Sequence, residues 1–232
     1  MLLKTLIEDD KKFFYSTNAG WKYKLDTTIL ELNEKGLQNF RGLDSGISTS
    51  FGDNLVSDVR NEYNGILKNF SKIFSLPGFR NIFNSQLRLT NSYIHEYLKN
   101  LQIIYSNNHN VLNLIQKYNF QDSVNFDCKF KFDYLNKSYS ILYLEMANKV
   151  EKLNKYFEFL KINSYMEIGG GFGANIHFLV NNFPNIKKII YLDVVPNLYV
   201  GTEYLKLHFK DKVKDYLSVK NSSKIEFSKN DD

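Results

Sequence analysis

The chain has 232 residues, 43% hydrophobic and 24% charged, which is the composition of a globular protein with one large or two small domains. A net charge of +5 and a pI near 9.0 suit an acidic or phosphorylated ligand, but are too mild to be the footprint of a nucleic-acid-binding protein. Cys128 is the only cysteine, so no disulfide framework or cysteine zinc site can form, and a reducing cytoplasm is the expected compartment. The N-terminus, MLLKTLIEDDKKFF, turns acidic and charged early and lacks the apolar core and cleavage site of a signal peptide. No apolar run approaches the roughly 20 residues needed to span a bilayer, so no transmembrane segment is expected.

Helical patterns dominate the first part of the chain. Residues 55–74 place Leu55, Val59, Ile66, Leu67, Phe70 and Phe74 at helical spacing, with Asp53 as a candidate cap and PGF at 77–79 as a breaker. Two further helices are expected over 89–105 and 110–118, joined by YSNNHN. FDCKFKFDYL, 126–135, alternates like a strand or an extended linker. A long amphipathic helix is expected from Ser140 to Leu160. The domain boundary is placed at its start, with a mainly helical region over 1–140 and a second unit over 141–232.

From Asn163 the pattern becomes strand, helix, strand, helix. SYMEIG reads as a strand. FGANIHFLVNNF reads as a helix stopped by Pro184. KKIIYLDVV is a second strand, NLYVGTEYLKLHF a second helix, and SSKIEFS at 222–228 a third strand. Such alternation with short connections implies parallel strands and right-handed crossovers.

The chemistry concentrates in MEIGGGFGANIHFL, 166–179. A glycine-rich turn between a strand and a helix lets a ligand lie against bare backbone amides at a helix N-terminus. Glu167, Gly169, Gly171 and Gly173 spell E-x-G-x-G-x-G, with Gly170 and Phe172 between. A carboxylate ahead of the glycines repels a pyrophosphate and suits a cationic amino group. About twenty residues further on, Asp193 ends the second strand, where an acid can accept both hydroxyls of a ribose. A ligand with a ribose, an amino-acid end and no phosphate is S-adenosylmethionine. Tight packing without a ligand is the competing reading of the glycines.

At these residues the chain resembles the class I S-adenosylmethionine-dependent methyltransferases. EIGGGFGANIHFLV followed by IIYLDVVPNLYVGTEYLKLHF, together with RGLDSGISTSFGDN at 41–54, is similar to the bacterial sugar O-methyltransferases of surface polysaccharide loci. The resemblance implies an α/β fold, in which a helical N-terminal region precedes the first half, strands 3-2-1, of a Rossmann-like sheet. It implies that Glu167 holds the methionine amino group, that Gly169 and Gly171 let the amino-acid portion approach, and that Phe172 and Gly173 shape the start of the helix. Asp193 would bind the ribose, and Asn230 or Asp231 would stand near the adenine unless they belong to an exposed tail. The implied acceptor is a sugar, free, nucleotide-activated or in a glycan, whose hydroxyl attacks the sulfonium methyl.

No general base stands out. Asp44 and Asp53 are the nearest loop carboxylates, and either could equally be a cap or turn residue. His177 reads as a packed or surface histidine rather than a base, and His95, His109 and His208 as surface residues without metal spacing. The 41–54 stretch is either a surface loop with a helix cap or a wall of the active site. The family's sheet continues beyond a third strand. The chain is therefore expected to be truncated, with its first strand left as an edge that invites self-association or a complementing C-terminal half. An inactive remnant that binds a partner or the cofactor is the alternative function. A nicotinamide-dependent oxidoreductase is a third, disfavoured by Glu167 and by the glycine spacing.

Overall fold

Residues 164–192 form a strand, a helix and a second strand parallel to the first. They belong to a computed structural model that describes residues 1–13, 19–43, 107–128 and 130–227. The expected helices over 55–74 and 89–105 lie outside those residues, as do Asp44, Asp53, His95, Asn230 and Asp231.

Two helices open the chain, α1 (Leu2–Phe13) and α2 (Ala19–Lys35), followed by a 3-10 turn at Leu37–Gly42. Next comes α3 (His109–Lys117), which starts where Asn108 accepts the N–H groups of Asn110 and Val111 on its side-chain oxygen. The strand pattern near 130 is half of a hairpin, β1 (Lys131–Tyr134) and β2 (Lys137–Ser140). Leu135 and Asn136 link them with φ of 48° and 60°, the positive values that a two-residue type I′ turn needs. Phe132 and Tyr139 stack as directly opposed partners across the hairpin.

Helix α4 spans Ile141–Leu153. It stops seven residues short of the expected Leu160. The side-chain oxygen of Asn154 accepts the N–H of Phe159, so an asparagine diverts the backbone out of the helix. Tyr156, Phe157 and Leu160 are then left exposed, and a short 3-10 turn, Phe159–Lys161, leads into the strand.

The parallel pair is β3 (Ser164–Ile168) and β4 (Lys188–Leu192), in register from Ser164 opposite Lys188 to Ile168 opposite Leu192. Between them lies α5 (Ala174–Asn182), and after them α6 (Asn197–Phe209) and the single turn α7 (Tyr216–Val219). The protein is thus a mixed α/β structure with two small sheets among its described residues.

The expected order 3-2-1 is not formed over these residues. Residues 222–227, read as the third strand, are irregular and exposed, with Ile225 and Phe227 in solvent. A third strand would have only the outer edge of β4 to bond to, and two alternating apolar residues bury too little to hold it there.

One face of the β3–β4 pair carries Tyr165, Glu167, Ile189 and Tyr191 and packs on the helices. The other carries Met166, Ile168 and Leu192, all exposed. The main core runs without a break from Leu32 and Phe40 in the first part of the chain, through α4, to Phe178 on α5 and Tyr204 on α6. A smaller cluster joins Leu2 and Leu6 of α1 to Val195, with Tyr199, Tyr216 and Leu217 against it. Among the described residues no helix is long and apolar enough to cross a membrane.

Candidate functional site

The glycine run forms the turn from β3 into α5. Gly169 still belongs to the sheet through its N–H, which donates to Leu192 O at 2.8 Å. The chain then reverses, and Gly173 takes a left-handed φ of 82° as the residue before α5. A side chain there would be strained, and its Cβ would lie 3.0 Å from Leu205. Gly170 is needed for a different reason, because a Cβ would lie 2.6 Å from the carboxyl carbon of Glu167. The glycine lets that carboxylate fold up beneath the loop.

Glu167 is 7% exposed. One carboxylate oxygen accepts the side-chain N–H of Asn175, from the first turn of α5, and the other is buried without a hydrogen-bond partner. Burial raises its pKa, the nearby Asp193 charge adds to the rise, and the Asn175 bond opposes it. A buried carboxylate oxygen with no donor is costly, so a cation or donor that shifted the covering turn and reached it would find an acceptor already stripped of water.

Asp193 follows β4 at the same end of the sheet. Its Oδ2 accepts Gly171 N–H at 2.8 Å and its Oδ1 accepts Val194 N–H at 2.7 Å. Burial also raises this carboxyl's pKa, against the lowering effect of those two bonds. Tyr191, opposite Glu167 in the register, sends its hydroxyl to Gly171 O and lies 3.1 Å from Asn197 O. The backbone of Gly171 is therefore held on both sides, by an acid through its N–H and by a phenol through its carbonyl.

Phe172 turns inward and is 1% exposed. Its ring meets those of Phe40 and Tyr204 edge-on, each at 5.1 Å, and the Arg41 guanidinium at 5.3 Å. The expected residues Glu167, Gly169, Gly170, Gly171, Phe172, Gly173 and Asp193 are thus gathered at one turn. Asn175, Tyr191 and Arg41 were not singled out. Period-2 alternation could have placed Tyr191 on the Glu167 face, whereas nothing local marks Arg41.

His177 is fully buried behind the loop, on α5. Tyr143 O lies 2.8 Å from its Nδ1, Asn181 Nδ2 lies 3.0 Å from its Nε2, and Tyr143 meets Tyr204 at 2.7 Å. Its ring is 4.0 Å from that of His208, which is half-buried rather than on the surface as its sequence context implied. His109 is exposed, as expected. No group of three His, Cys, Asp or Glu residues among those described could hold a metal.

A buried carboxylate with one uncommitted oxygen, beside a second acid largely withdrawn from water, suits a ligand with a cationic group. Gly169 leaves room for it, since a Cβ there would meet nothing within 4 Å. Neither the family models, nor the curated proteins, nor the solved structures that were searched contain a match to this chain.

Proposed function

We propose that the turn after β3 binds S-adenosylmethionine and that the chain serves a class I methyltransferase reaction on a sugar hydroxyl of a cell-surface polysaccharide. The observation that carries the cofactor half is the buried, unpartnered oxygen of Glu167 beneath the glycine turn, with Asp193 across from it. The sugar half rests on the sequence resemblance.

Glu167 takes the ammonium of the amino-acid end, and that ion pair offsets the burial of its carboxylate. Gly169, exposed and with open space where a side chain would stand, offers backbone without obstruction, while Gly171 is held by Asp193 and Tyr191 and keeps the turn in shape. Asp193 keeps Gly171 N–H and still has lone pairs for two ribose hydroxyls, since a carboxylate accepts about four hydrogen bonds. Asn175 fixes the rotamer of Glu167, and Tyr191 fixes the turn. The bound cofactor supplies an electrophilic methyl on a sulfonium whose thioether leaves. The protein's share is to align that methyl with the attacking oxygen and exclude water. A pyrophosphate is disfavoured because Glu167 and Asp193 would both face it.

Calorimetry with S-adenosylhomocysteine, S-adenosylmethionine and NAD tests the cofactor, and NAD binding tighter than the other two would overturn it. Labelled methyl transfer to nucleotide-activated or lipid-linked sugars tests the reaction. Binding without transfer would keep the ligand and remove the transferase.

A further inference from the structure

The stretch beginning RGLDSG raised the choice between a surface loop and a wall of the site, and its first residue is deeply buried. Arg41 is 3% exposed. Its Nη1 donates to Ser123 O at 2.6 Å and Asn125 O at 3.2 Å, and its Nη2 to Ser140 Oγ at 3.0 Å. Its backbone N–H donates to Phe126 O at 3.2 Å. Every acceptor is neutral, and among the described residues no carboxylate pairs with it. Among the described residues the guanidinium is met only by neutral acceptors, and a purely cohesive role would be served more cheaply by an apolar side chain.

The remaining face of the guanidinium lies on the Phe172 ring. Phe172 carries the only side chain within the run Gly169–Gly173, so it is the one handle by which packing can grip that turn. Phe40, the neighbour of Arg41, holds the same ring from a second side. Ser140, just ahead of α4, accepts Arg41 Nη2–H on its hydroxyl oxygen and makes no side-chain cap of its own helix.

We propose that Arg41 is a positioning residue for the glycine turn. It draws the 3-10 turn Leu37–Gly42, the 123–126 loop and the start of α4 around Phe172. The backbone of 169–173 is thereby held in its ligand-accepting shape before any ligand arrives. The ligand itself rests on the reading given under Proposed function, whereas the coupling of Arg41 to the turn does not.

The test is amide hydrogen exchange on the ligand-free full chain, comparing wild type with Arg41→Met and Phe172→Leu, followed by S-adenosylhomocysteine titration. The Gly171 and Gly173 amides donate to Asp193 and Gly170 O, so both begin protected. In both variants they are expected to exchange at least about tenfold faster, while the amides of Phe183 and Lys188 at the far end of the unit keep their rates. Affinity for S-adenosylhomocysteine should fall about tenfold or more in parallel. Acceleration spread evenly over all these amides, or absent in a folded Arg41→Met, overturns the proposal. Should Arg41→Met fail to fold, Phe172→Leu decides by the same measure. Selective acceleration in a chain that binds no S-adenosylhomocysteine would keep the positioning role and remove the ligand.

Discussion

The Asp193 carboxylate accepts Gly171 N–H at 2.8 Å, so the acid after β4 is tied to the turn after β3. One side chain thus both shapes the turn and faces the ligand. Asp193→Ala should weaken S-adenosylhomocysteine binding by about 1.5–3 kcal/mol, the worth of a hydrogen bond to a charged acceptor. Asp193→Asn, which can still accept from Gly171, should lose less. Calorimetry reads both, and unchanged affinity in the alanine variant would remove Asp193 from the site.

Glu167 gives a pH dependence with a defined sign. Burial raises its folded pKa above the ordinary 4.5, so the folded chain holds this proton more tightly than the unfolded chain. Its contribution to stability is complete below the unfolded pKa and is lost as pH rises through the folded pKa. A cationic ligand prefers the ionised form, so affinity should grow over the same interval. In Glu167→Gln both dependences should flatten. Urea midpoints and ligand titrations between about pH 4 and 7 would show it, and a glutamine variant that titrates like wild type contradicts the assignment.

Two of the glycines should fail differently. Gly169 has φ 73° with open space around its missing side chain, so Gly169→Ala should cost roughly 1 kcal/mol of stability and obstruct the ligand. Gly173 has φ 82° with Leu205 against it, so Gly173→Ala should cost more stability because a contact is added to the same backbone penalty. Thermal unfolding ranks them. Equal losses would mean that the Leu205 side chain yields to the added methyl.

His177 should set the acid limit of the fold. Burial, with the neighbouring His208 adding to it, pushes its pKa down from 6.5 to about 3. The groups around it are Tyr143 from α4, Tyr204 and His208 from α6, and Asn181 from its own helix, with Asp122 3.9 Å from His208. A neutral buried histidine contributes fully above the unfolded pKa, and that contribution is lost as pH falls from 6.5 toward 3. The expected slope approaches one proton, about 1.4 kcal/mol per pH unit. His177→Leu should show a shallower slope, and an identical slope in the two proteins would assign the acid lability elsewhere.

The exposed sheet face makes a solubility prediction. Met166, Ile168 and Leu192 present apolar surface beside the outer edge of β3, and Ile168 is 75% exposed. Ile168→Lys should reduce concentration-dependent light scattering without lowering the thermal midpoint. Loss of folding in that variant would mean the face is covered in solution.

The parallel unit was legible because its signals are local. β3 and β4 are short apolar runs, α5 and α6 have helical periodicity, and the glycines with Glu167 and Asp193 are read from spacing alone. The parts left unread in the sequence depend on contacts between distant residues. Arg41 meets Ser140 across 99 positions, and no window of sequence contains both. The surroundings of His177 come from Tyr143 and Tyr204 on other helices, so its sequence context could only suggest packing or surface. The third strand failed for the converse reason. Ile225 and Phe227 alternate correctly, but a local pattern does not say whether a partner edge and a covering layer await it.

The clasp between α1 and α7 has a consequence for how the chain is made. Asp9 accepts the Tyr216 hydroxyl at 3.1 Å and the Lys220 ammonium at 3.2 Å, over separations of 207 and 211 positions. At synthesis rates of 5–20 residues per second, α1 waits roughly ten to forty seconds after leaving the ribosome before its binding surface is translated. During that interval Leu2 and Leu6, later buried against Val195, face water or a chaperone. Helix α1 is therefore made well before its binding surface and can dock only once that surface has been translated.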